Sequence, residues 1–525
     1  MNVFLDQVHR NLPRLLALFN NDTSSATYGV GDRYYWGWKL IDFPNGTFQA
    51  AVGGLSSLIK HNMLPDYINE ERLIERIDSL FSGTRFILNK NGSLDEALPN
   101  EYSFCVTGLV AGELILAAEN LKDRVDPTVL QRWVSIISPM IDFLEKQDEH
   151  HGVISNHLAT NALALVRWSD FTGENRDVRA KIWVNRILQH QSEEGWFSEY
   201  GGADFGYQTW CTSSLVEIFI RRKKWQLGDP IDKSITFLAH GAIPGGLWGG
   251  VYGSRMTRFV FPSGVYRLSN KSVVANKLSK FFYKSILDQQ SVTLDVIDMG
   301  NFVPMFNDYV TCAVEFNRIS TIKEVCTLKQ EYLLPCERIE YRRVFSESGL
   351  LIDSGEDHYT LINLKKGGVG IHSSSSSGLF EIPAFVGKTK NGSIISNQLL
   401  DDNATWYIDD GKVTLKSETF YVDRPLPSAF KFIVLRGMSL TIFRSLKLGN
   451  MVKILLANLL ISRKRRAKIK VERQVILGGD IQVYESVENA TRLHVNNFKQ
   501  IHMASMGYWQ KSDESIYTLP IIVKN

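Results

Sequence analysis

The chain has 525 residues, of which 44% are hydrophobic and 22% charged, and its formal net charge is +3. This length exceeds what one hydrophobic core usually supports, and the composition excludes disordered, collagen-like and coiled-coil proteins. Because the charge is nearly balanced and its basic excess lies in short runs, we expect no nucleic-acid partner.

The N-terminal residues, one apolar segment and the cysteines indicate the cellular compartment of the protein. Residues 1–10 contain acidic and basic side chains where a signal peptide would be apolar, so no secretory signal is expected. Residues 452–461 are too few for a transmembrane helix and are predicted to form a β-strand. We therefore predict a cytoplasmic protein with no transmembrane segment and with reduced thiols. The scattered cysteines, which form no C-x-x-C motif, are Cys105, Cys211, Cys312, Cys326 and Cys336.

Two kinds of predicted helix alternate up to about residue 325. Charged amphipathic helices are predicted at residues 68–81, 127–145 and 178–190, and helices rich in small residues at 48–58, 103–118, 156–168 and 207–220. The second kind starts at intervals of 55, 53 and 51 residues, which is typical of an array of helix pairs. Small residues suit closely packed inner helices, and charged helices suit an outer ring. The pattern predicts an α/α toroid over residues 1–325.

The loops before the predicted inner helices resemble one another. Residues 91–96, 151–155 and 194–199 each place a glycine in a turn, followed by polar or aromatic side chains. In a closed ring, consecutive inner helices begin side by side at the same end. These side chains are therefore expected to converge on one cleft.

Short alternating segments replace the helices from about residue 338. Strands are predicted at 340–346, 359–364, 405–408, 412–420, 430–435, 439–443, 468–476 and 481–485. Turn residues such as Asp409-Asp410-Gly411 connect some of them as hairpins. Many short strands with almost no helix predict an antiparallel β-sandwich over residues 330–525. The predicted fold class is thus a multidomain α+β protein, with a toroid followed by a sandwich.

Motifs exclude several enzyme classes and leave a polar and aromatic set in the loops. The sequence lacks G-x-x-x-x-G-K-[ST], G-x-S-x-G, H-E-x-x-H and a Rossmann glycine motif, which excludes the nucleotide hydrolases and serine esterases that carry them. Aromatic side chains stack on sugars, while Arg, Asn and His hold carboxylates and hydroxyls. The alternative is that the aromatic residues pack between helices and that Asn and Asp only cap them. The predicted substrate-binding residues are Arg33, Tyr35, Trp36, Asp42, Asn100, Glu101, Glu199, Tyr200, Asp204, Tyr252, Arg255 and Arg258.

A resemblance to a known family rests on the order of several motifs. Asn156-His157 opens one predicted inner helix, and Glu194-Gly195 with Tyr207 follows about fifty residues later. Residues 353–359 then form a predicted strand pair, with His372 on the next strand. In this order the chain resembles the heparinase II/III-like polysaccharide lyases and their relatives in surface-polysaccharide gene clusters. The resemblance implies a toroid, a sandwich and an acidic polysaccharide or oligosaccharide substrate.

The sequence departs from the family at its metal element. The H-x-H-x-D motif of many members is replaced by His372 and a run of serines, and the usual Tyr-His dipeptide is Tyr207-Gln208. We therefore expect no bound metal and no cofactor.

The resemblance also implies a reaction, which is β-elimination at a uronic acid. A base removes the C5 proton and the glycosidic oxygen leaves C4 once the carboxylate charge is neutralised. By resemblance, Asn156 and His157 hold the carboxylate, and Tyr207 is base and acid. His372 is then a second proton-transfer group. Tyrosine must have its pKa lowered for the base role, and the candidate cations are Arg33, Arg255 and Arg258.

Three alternatives stay open at this point. A uronate C5-epimerase shares the proton abstraction, and the expected absence of a secretory signal favours such a biosynthetic role. An inverting glycosidase would use two carboxylates among Asp95, Glu96, Glu199 and Asp204. A glycan-binding subunit would keep the cleft without the chemistry.

Overall fold

The computed structural model describes residues 1–149, 152–321, 331–422, 428–457, 464–493, 507–510 and 515–523. Cys326 lies outside these residues, and the other four cysteines are free thiols. Within the described residues up to 321, the α-helices are α1 (Val3–Leu16), α2 (Arg33–Trp36), α3 (Ala51–Lys60), α4 (Glu70–Ile87), α5 (Phe104–Leu121), α6 (Pro127–Lys146), α7 (Ser155–Thr172), α8 (Asp177–Gln189), α9 (Phe205–Arg221), α10 (Gly228–Leu238), α11 (Ser263–Leu268), α12 (Val273–Leu287) and α13 (Met299–Thr321).

Six of these helices form a closed inner ring. Helices α3, α5, α7, α9, α11 and α13 each pack on the next one, and α13 returns to α3. Each has an outer partner, which is α4, α6, α8, α10, α12 or α1 respectively. This closed double ring is an α/α toroid, so the predicted fold of the N-terminal part is confirmed. The small-residue pattern identified α3, α5, α7 and α9, and it missed α11 and α13.

Small residues and paired charges explain why the inner ring closes. A Cβ atom on Gly108 of α5 would lie 1.5 Å from the Asn161 side chain of α7, so only glycine permits this approach. At the centre, Arg167 of α7 lies 3.1 Å from Glu113 and 2.8 Å from Glu217. Buried charges are tolerated when they are paired in this way. Helix α5 is also apolar and long enough to cross a membrane, but 72% of it is buried, as for a core helix of the ring.

The C-terminal part is a two-sheet sandwich. One sheet has the order β1-β2-β3-β4-β5-β13, and the other has the order β12-β6-β7-β9-β10-β11-β14 with β8 on β9. Leu351 and Ile362 of the first sheet share a core with Val413 and Val475 of the second. The strands are β1 (Tyr341–Val344), β2 (Leu350–Ser354), β3 (His358–Asn363), β4 (Val369–Ser374), β5 (Gly378–Ile382), β6 (Val386–Thr389), β7 (Ile394–Ser396), β8 (Thr405–Asp409), β9 (Lys412–Tyr421), β10 (Arg466–Ile476), β11 (Gln482–Val487), β12 (Ala490–Arg492), β13 (Tyr517–Thr518) and β14 (Ile521–Val523). The predicted sandwich is confirmed. Among the described strands, only two pairs are parallel, which are β13 with β5 and β14 with β11.

Two helices interrupt the sandwich where strands were predicted. Helices α14 (Ala429–Leu440) and α15 (Leu446–Ala457) connect β9 to β10. The predicted strands at 430–435 and 439–443 are therefore wrong, as is the one at 452–461 over its described residues 452–457. Short apolar runs do not separate strand from helix, and the Ser428 side chain caps α14 by accepting from the Lys431 amide at 3.4 Å.

The sandwich docks on the toroid through buried polar contacts. The Lys366 ammonium donates to the Val251 and Gly253 carbonyls at 2.7 and 2.6 Å. The Asn363 amide donates to the Tyr252 carbonyl at 2.8 Å. These bonds fix the loop 251–253 of the toroid against the sandwich, so the two parts are held in a defined arrangement.

Candidate active site at the mouth of the toroid

The loops that precede α7 and α9 lie side by side at one end of the ring. Ile154 and Glu199 form an antiparallel bridge, and the Ser155 amide donates to the Ser198 carbonyl at 3.2 Å. Each loop therefore fixes the position of the other. Side chains at the first turns of both helices consequently share one neighbourhood.

A polar cavity of about 210 Å³ opens at this end. The loops before α5, α7 and α9 supply most of its wall, and α15 contributes Leu446 and Asn450. Its composition of carboxylates, an imidazole and phenols suits a polar ligand better than an apolar one. The ionisable side chains of the wall are Glu96, Glu101, Tyr102, Cys105, Asp148, Glu149, His157 and Tyr200.

His157 carries the positive charge in this cavity. Its Nδ1 atom lies 2.7 Å from Oε2 of Glu149. Burial lowers the pKa of the imidazole, but contacts with Cys105 and the Glu149 carboxylate raise it well above its usual value. Burial also raises the pKa of the Cys105 thiol, which hydrogen-bonds to the imidazole.

Arg255 lies behind the cavity wall between two tyrosines. Its guanidinium is 4.6 Å from the ring centre of Tyr200 and 4.5 Å from that of Tyr207. Burial raises the pKa of Tyr200, and the charges of His157 and Arg255 act in the opposite direction. Tyr200 therefore keeps its proton at neutral pH, with two cations close enough to stabilise the phenolate after proton transfer.

Glu199 is fully buried beneath these groups. Its carboxylate accepts from the Asn156 side-chain amide at 2.9 Å with both oxygens and from the Asn156 backbone amide at 3.1 Å. Arg255 lies 4.0 Å away. Burial raises the pKa of Glu199 to about 7, although Arg255, His157 and Asn156 oppose that rise. The side-chain amide of Asn156 is thus bonded to Glu199, and this corrects its predicted role as a donor to substrate.

Of the predicted site residues, His157, Tyr200 and Glu101 line the cavity. Glu101 also shapes its own loop, because its carboxylate accepts from the Ala97 and Leu98 amides at 2.7 and 3.1 Å. Tyr207 is 7% exposed and lies on the far side of Arg255, packed edge-on against Phe259 at 5.1 Å.

His372 does not lie over this cavity. It is fully buried on β4, where Nδ1 lies 2.9 Å from the Thr360 hydroxyl and Nε2 lies 3.3 Å from the Gly479 carbonyl. Both ring nitrogens are therefore bonded within the sandwich. The prediction that His372 transfers protons at the toroid is wrong, because the pairing of β4 with β3 points the imidazole into the sandwich.

Three other predicted substrate-binding residues serve the fold. Asp204 caps α9 and accepts from the Tyr207 and Arg255 amides at 3.2 and 2.9 Å. Tyr252 is 1% exposed and packs in the core, and burial raises its pKa far above the usual value. Arg258 is 6% exposed, with its guanidinium 5.9 Å from the Tyr508 ring. Capping and core packing therefore account for these side chains, as the structural alternative predicted.

The loop before α3 lies outside the cavity wall. The Trp36 indole donates to the Leu18 carbonyl at 2.8 Å, and Arg33 lies over the Trp38 ring at 5.9 Å. Tyr35 belongs to the same short helix α2 and is half-buried there. None of these three lines the cavity, so the structure gives no support to their predicted contact with substrate.

Two more predicted residues contact the helices inserted in the sandwich. Asp42 forms an ion pair with Arg436 at 3.1 Å. The Asn100 amide donates to the Ser439 carbonyl at 3.1 Å. Both side chains attach α14 to the toroid, a role that the sequence did not suggest.

Sequence reasoning missed Glu149 and Cys105. Glu149 follows the outer helix α6 and precedes His157 by eight residues, so it falls between the repeated elements. Cys105 is the second residue of α5, where it reads as an ordinary core thiol. Glu149 reaches His157 within the connection between α6 and α7, and Cys105 reaches it because α5 packs on α7. Within the described ranges, no three His, Cys, Asp or Glu side chains meet to hold a metal ion.

Comparisons with known proteins return similar structures only. No family model and no curated protein matches the chain. Xanthan lyase from Paenibacillus is 10% identical with a TM-score of 0.49, over 80% of this chain and 45% of that one. Chondroitin AC lyase from Streptomyces coelicolor A3, in complex with chondroitin sulphate, is 8% identical with a TM-score of 0.49, over 80% and 67%.

A sugar epimerase from a ruminal bacterium is 10% identical with a TM-score of 0.42, over 60% of this chain and 98% of that one. The chain thus spans less than half the length of the xanthan lyase. With TM-scores below 0.5, the toroid assignment rests on the closed ring of helix contacts. Membership of the heparinase II/III-like family stays a prediction.

Proposed function

We propose that the chain is an enzyme that cleaves an acidic polysaccharide by β-elimination at a uronic acid, in the cavity at the toroid mouth. The observation that carries this proposal is the presence of the His157 imidazolium and the Tyr200 hydroxyl in the wall of one polar cavity. A fixed cation and a neighbouring proton donor are the two groups that such a reaction needs most.

The first requirement is neutralisation of the substrate carboxylate. The C5 proton of a uronate becomes acidic only when the negative charge next to it is compensated. His157 supports this step because the Glu149 carboxylate helps to keep its ring charged. The positive charge of the imidazolium would compensate the negative charge of the substrate carboxylate.

The second requirement is a pair of proton transfers. We assign Glu96 as the base. Within the described residues, its carboxylate accepts one side-chain hydrogen bond, from the Ser103 hydroxyl at 3.3 Å. It takes the C5 proton, the C5–H electron pair forms the C4–C5 double bond, and the C4–O bond breaks. Tyr200 gives its proton to the leaving oxygen, and the phenolate then recovers a proton from Glu96 through solvent. The acid role thus moves from Tyr207 to Tyr200.

The buried groups behind the wall are positioning residues in this scheme. Arg255 lies against the Tyr200 ring and stabilises the transient phenolate. Glu199 in turn holds Asn156 and faces Arg255. These contacts fix the wall without touching substrate.

Hydrolysis ranks second because only Glu96 of the four predicted carboxylates lines the cavity. The other carboxylates of the wall, Glu101, Asp148 and Glu149, are each bonded to protein groups. Asp95 accepts from the Asn100 and Tyr102 amides, both at 2.9 Å. Glu199 and Asp204 are fully buried, and Glu96 alone of the four lines the cavity. An inverting glycosidase needs two carboxylates facing the substrate. Epimerisation shares the first proton transfer and differs only in the fate of the carbanion.

Product analysis separates these activities. Purified protein is incubated with hyaluronan, chondroitin, alginate and polygalacturonate in deuterated water. β-Elimination gives an unsaturated product that absorbs in the ultraviolet, which is the expected result. Deuterium at C5 without cleavage indicates an epimerase, and reducing ends without unsaturation indicate a glycosidase. Retention of polymer with no chemical change would leave only glycan binding and overturn the proposal.

A further inference from the structure

The two helices inserted in the sandwich form an exposed hairpin. The segment 428–457, here called the basic hairpin, contains α14, a single 3-10 turn (Ile442–Arg444) and α15. Both helices pack on that turn, and the side chain of its central residue Phe443 is buried. The segment leaves the sheet at β9 and returns at β10, which pair with each other. It is therefore an insertion that the sandwich does not need for its own pairing.

The basic hairpin exposes a large apolar surface. Phe430 is 73% exposed, Ile433 69% and Met451 62%. On α15, residues 448, 451 and 455 recur at the spacing of one helix face. So many exposed apolar side chains on one short hairpin indicate an interaction site in a folded protein. The exposed apolar residues are Phe430, Phe432, Ile433, Val434, Leu440, Ile442, Leu448, Met451, Ile454 and Leu455.

The basic hairpin has no acidic residue of its own, although Arg436 is paired with Asp42 of the toroid. Between Asp423 and Glu472 the sequence contains twelve Lys and Arg residues and no Asp or Glu. Since the whole chain carries +3, the rest of it carries −9. Lys431, Arg444 and Lys447 are exposed beside the apolar side chains. The partner of this surface must therefore be apolar and anionic at once.

We propose that the basic hairpin binds the surface of an anionic lipid bilayer. Helices that lie in a membrane interface combine an apolar face with lysine and arginine, and they bind acidic headgroups. Each helix has 12 residues and is far too short to span a bilayer, so it lies in the interface. The lysine and arginine residues of the hairpin are complementary in charge to acidic lipid headgroups.

The hairpin also fixes where the bilayer would lie relative to the cavity. Leu446 and Asn450 of α15 form part of the cavity wall. The Tyr102 hydroxyl of the wall donates to the Arg444 carbonyl at 3.3 Å. Membrane attachment would therefore hold the mouth of the toroid close to the lipid surface. This proposal stands on the hairpin alone and does not depend on the chemistry in the cavity.

Vesicle flotation with the full-length chain tests the proposal. The protein is mixed with vesicles of phosphatidylcholine alone or of phosphatidylcholine with phosphatidylglycerol. We expect flotation with the anionic vesicles and little with the neutral ones, and added salt should weaken it. Absence of flotation with both, or equal flotation with both, would overturn the proposal.

Matched variants assign the binding to the hairpin. The double variant Ile433→Ser/Met451→Ser should lower the partition coefficient about tenfold or more, since two inserted apolar side chains are lost. Lys431→Gln/Lys447→Gln should lower it about tenfold on anionic vesicles only. The control is Val178→Ser/Ile182→Ser on α8, where the side chains are 71% and 50% exposed. Equal losses in hairpin and control variants with unchanged melting temperatures would contradict the assignment.

Discussion

The Nδ1 atom of His157 lies 2.7 Å from the Oε2 atom of Glu149 in the wall of the cavity. Burial lowers the pKa of the imidazole, whereas Cys105 and Glu149 raise it well above its usual value. Because Glu149 is nearly buried as well, little water competes for this ion pair. The imidazolium is then a fixed positive charge at neutral pH, which is the basis of the proposed chemistry.

The variant Glu149→Gln should shift the pH profile of the enzyme. Without the carboxylate, the imidazole loses one of the two groups that raise its pKa, so the pKa of His157 should fall. Turnover that needs the imidazolium should then decline with rising pH at a lower pH than in the wild type. The check is the pH dependence of kcat, with an NMR titration of the imidazole. An unchanged titration of His157 would contradict the assigned ion pair.

The variant Tyr200→Phe should lower turnover by about two to four orders of magnitude, because it removes a single proton donor from the cavity wall. The matched variant is Tyr207→Phe, which removes the hydroxyl on the other side of Arg255. We expect a much smaller effect there. Both are compared by kcat and by melting temperature. A large loss only in Tyr207→Phe would restore the role that the sequence predicted for Tyr207.

The variant Glu199→Gln should change how stability depends on pH. The pKa of Glu199 is about 7 in the folded chain and near 4.5 when unfolded. The folded state binds the extra proton in that window, so this group's contribution is present below pH 4.5 and is lost as pH rises to 7. The wild type should lose up to about 1.4 kcal/mol per pH unit from this group, relative to the variant. Chemical unfolding between these pH values measures it, and parallel curves would refute the assignment.

The toroid was predictable because its inner helices repeat a composition. Small residues such as Gly108 are required wherever two inner helices approach closely, and this requirement recurs once per helix pair. Helix α11 has only six residues and α13 contains Pro304, so neither matches the pattern of the others. Helices α14 and α15 were predicted as strands because short apolar runs do not separate a strand from a helix.

The site was less predictable than the fold. The presence of His157 and Tyr200 in one cavity was predictable, because both lie near the start of an inner helix and the loops at one end of a ring converge. That of Glu149 and Cys105 was not, because one follows an outer helix and the other lies within α5, outside the repeated loop pattern. The prediction for His372 was wrong because the position of a residue in a strand does not show which way its side chain points until the pairing register is known.

The variant Arg167→Met should destabilise the toroid by about 3–5 kcal/mol. It leaves Glu113 and Glu217 buried without the guanidinium that lies 3.1 and 2.8 Å from them. The control is Arg72→Met, which removes a partner of Glu75 on the surface, where both side chains are largely exposed. Denaturant unfolding should show a large loss only for the first variant. A small loss there would mean that Arg267 compensates through Glu217, which it meets at 3.0 Å.

The proposed reaction removes a proton from C5 of a uronate and expels the C4 oxygen. It is tested with a polymer that the enzyme cleaves, labelled with deuterium at C5, by following ultraviolet absorbance together with the mass of the products. We expect products that absorb in the ultraviolet and have lost the deuterium, with the reaction strongly reduced in Tyr200→Phe. Cleaved products that keep the deuterium and do not absorb would contradict β-elimination and would establish hydrolysis instead.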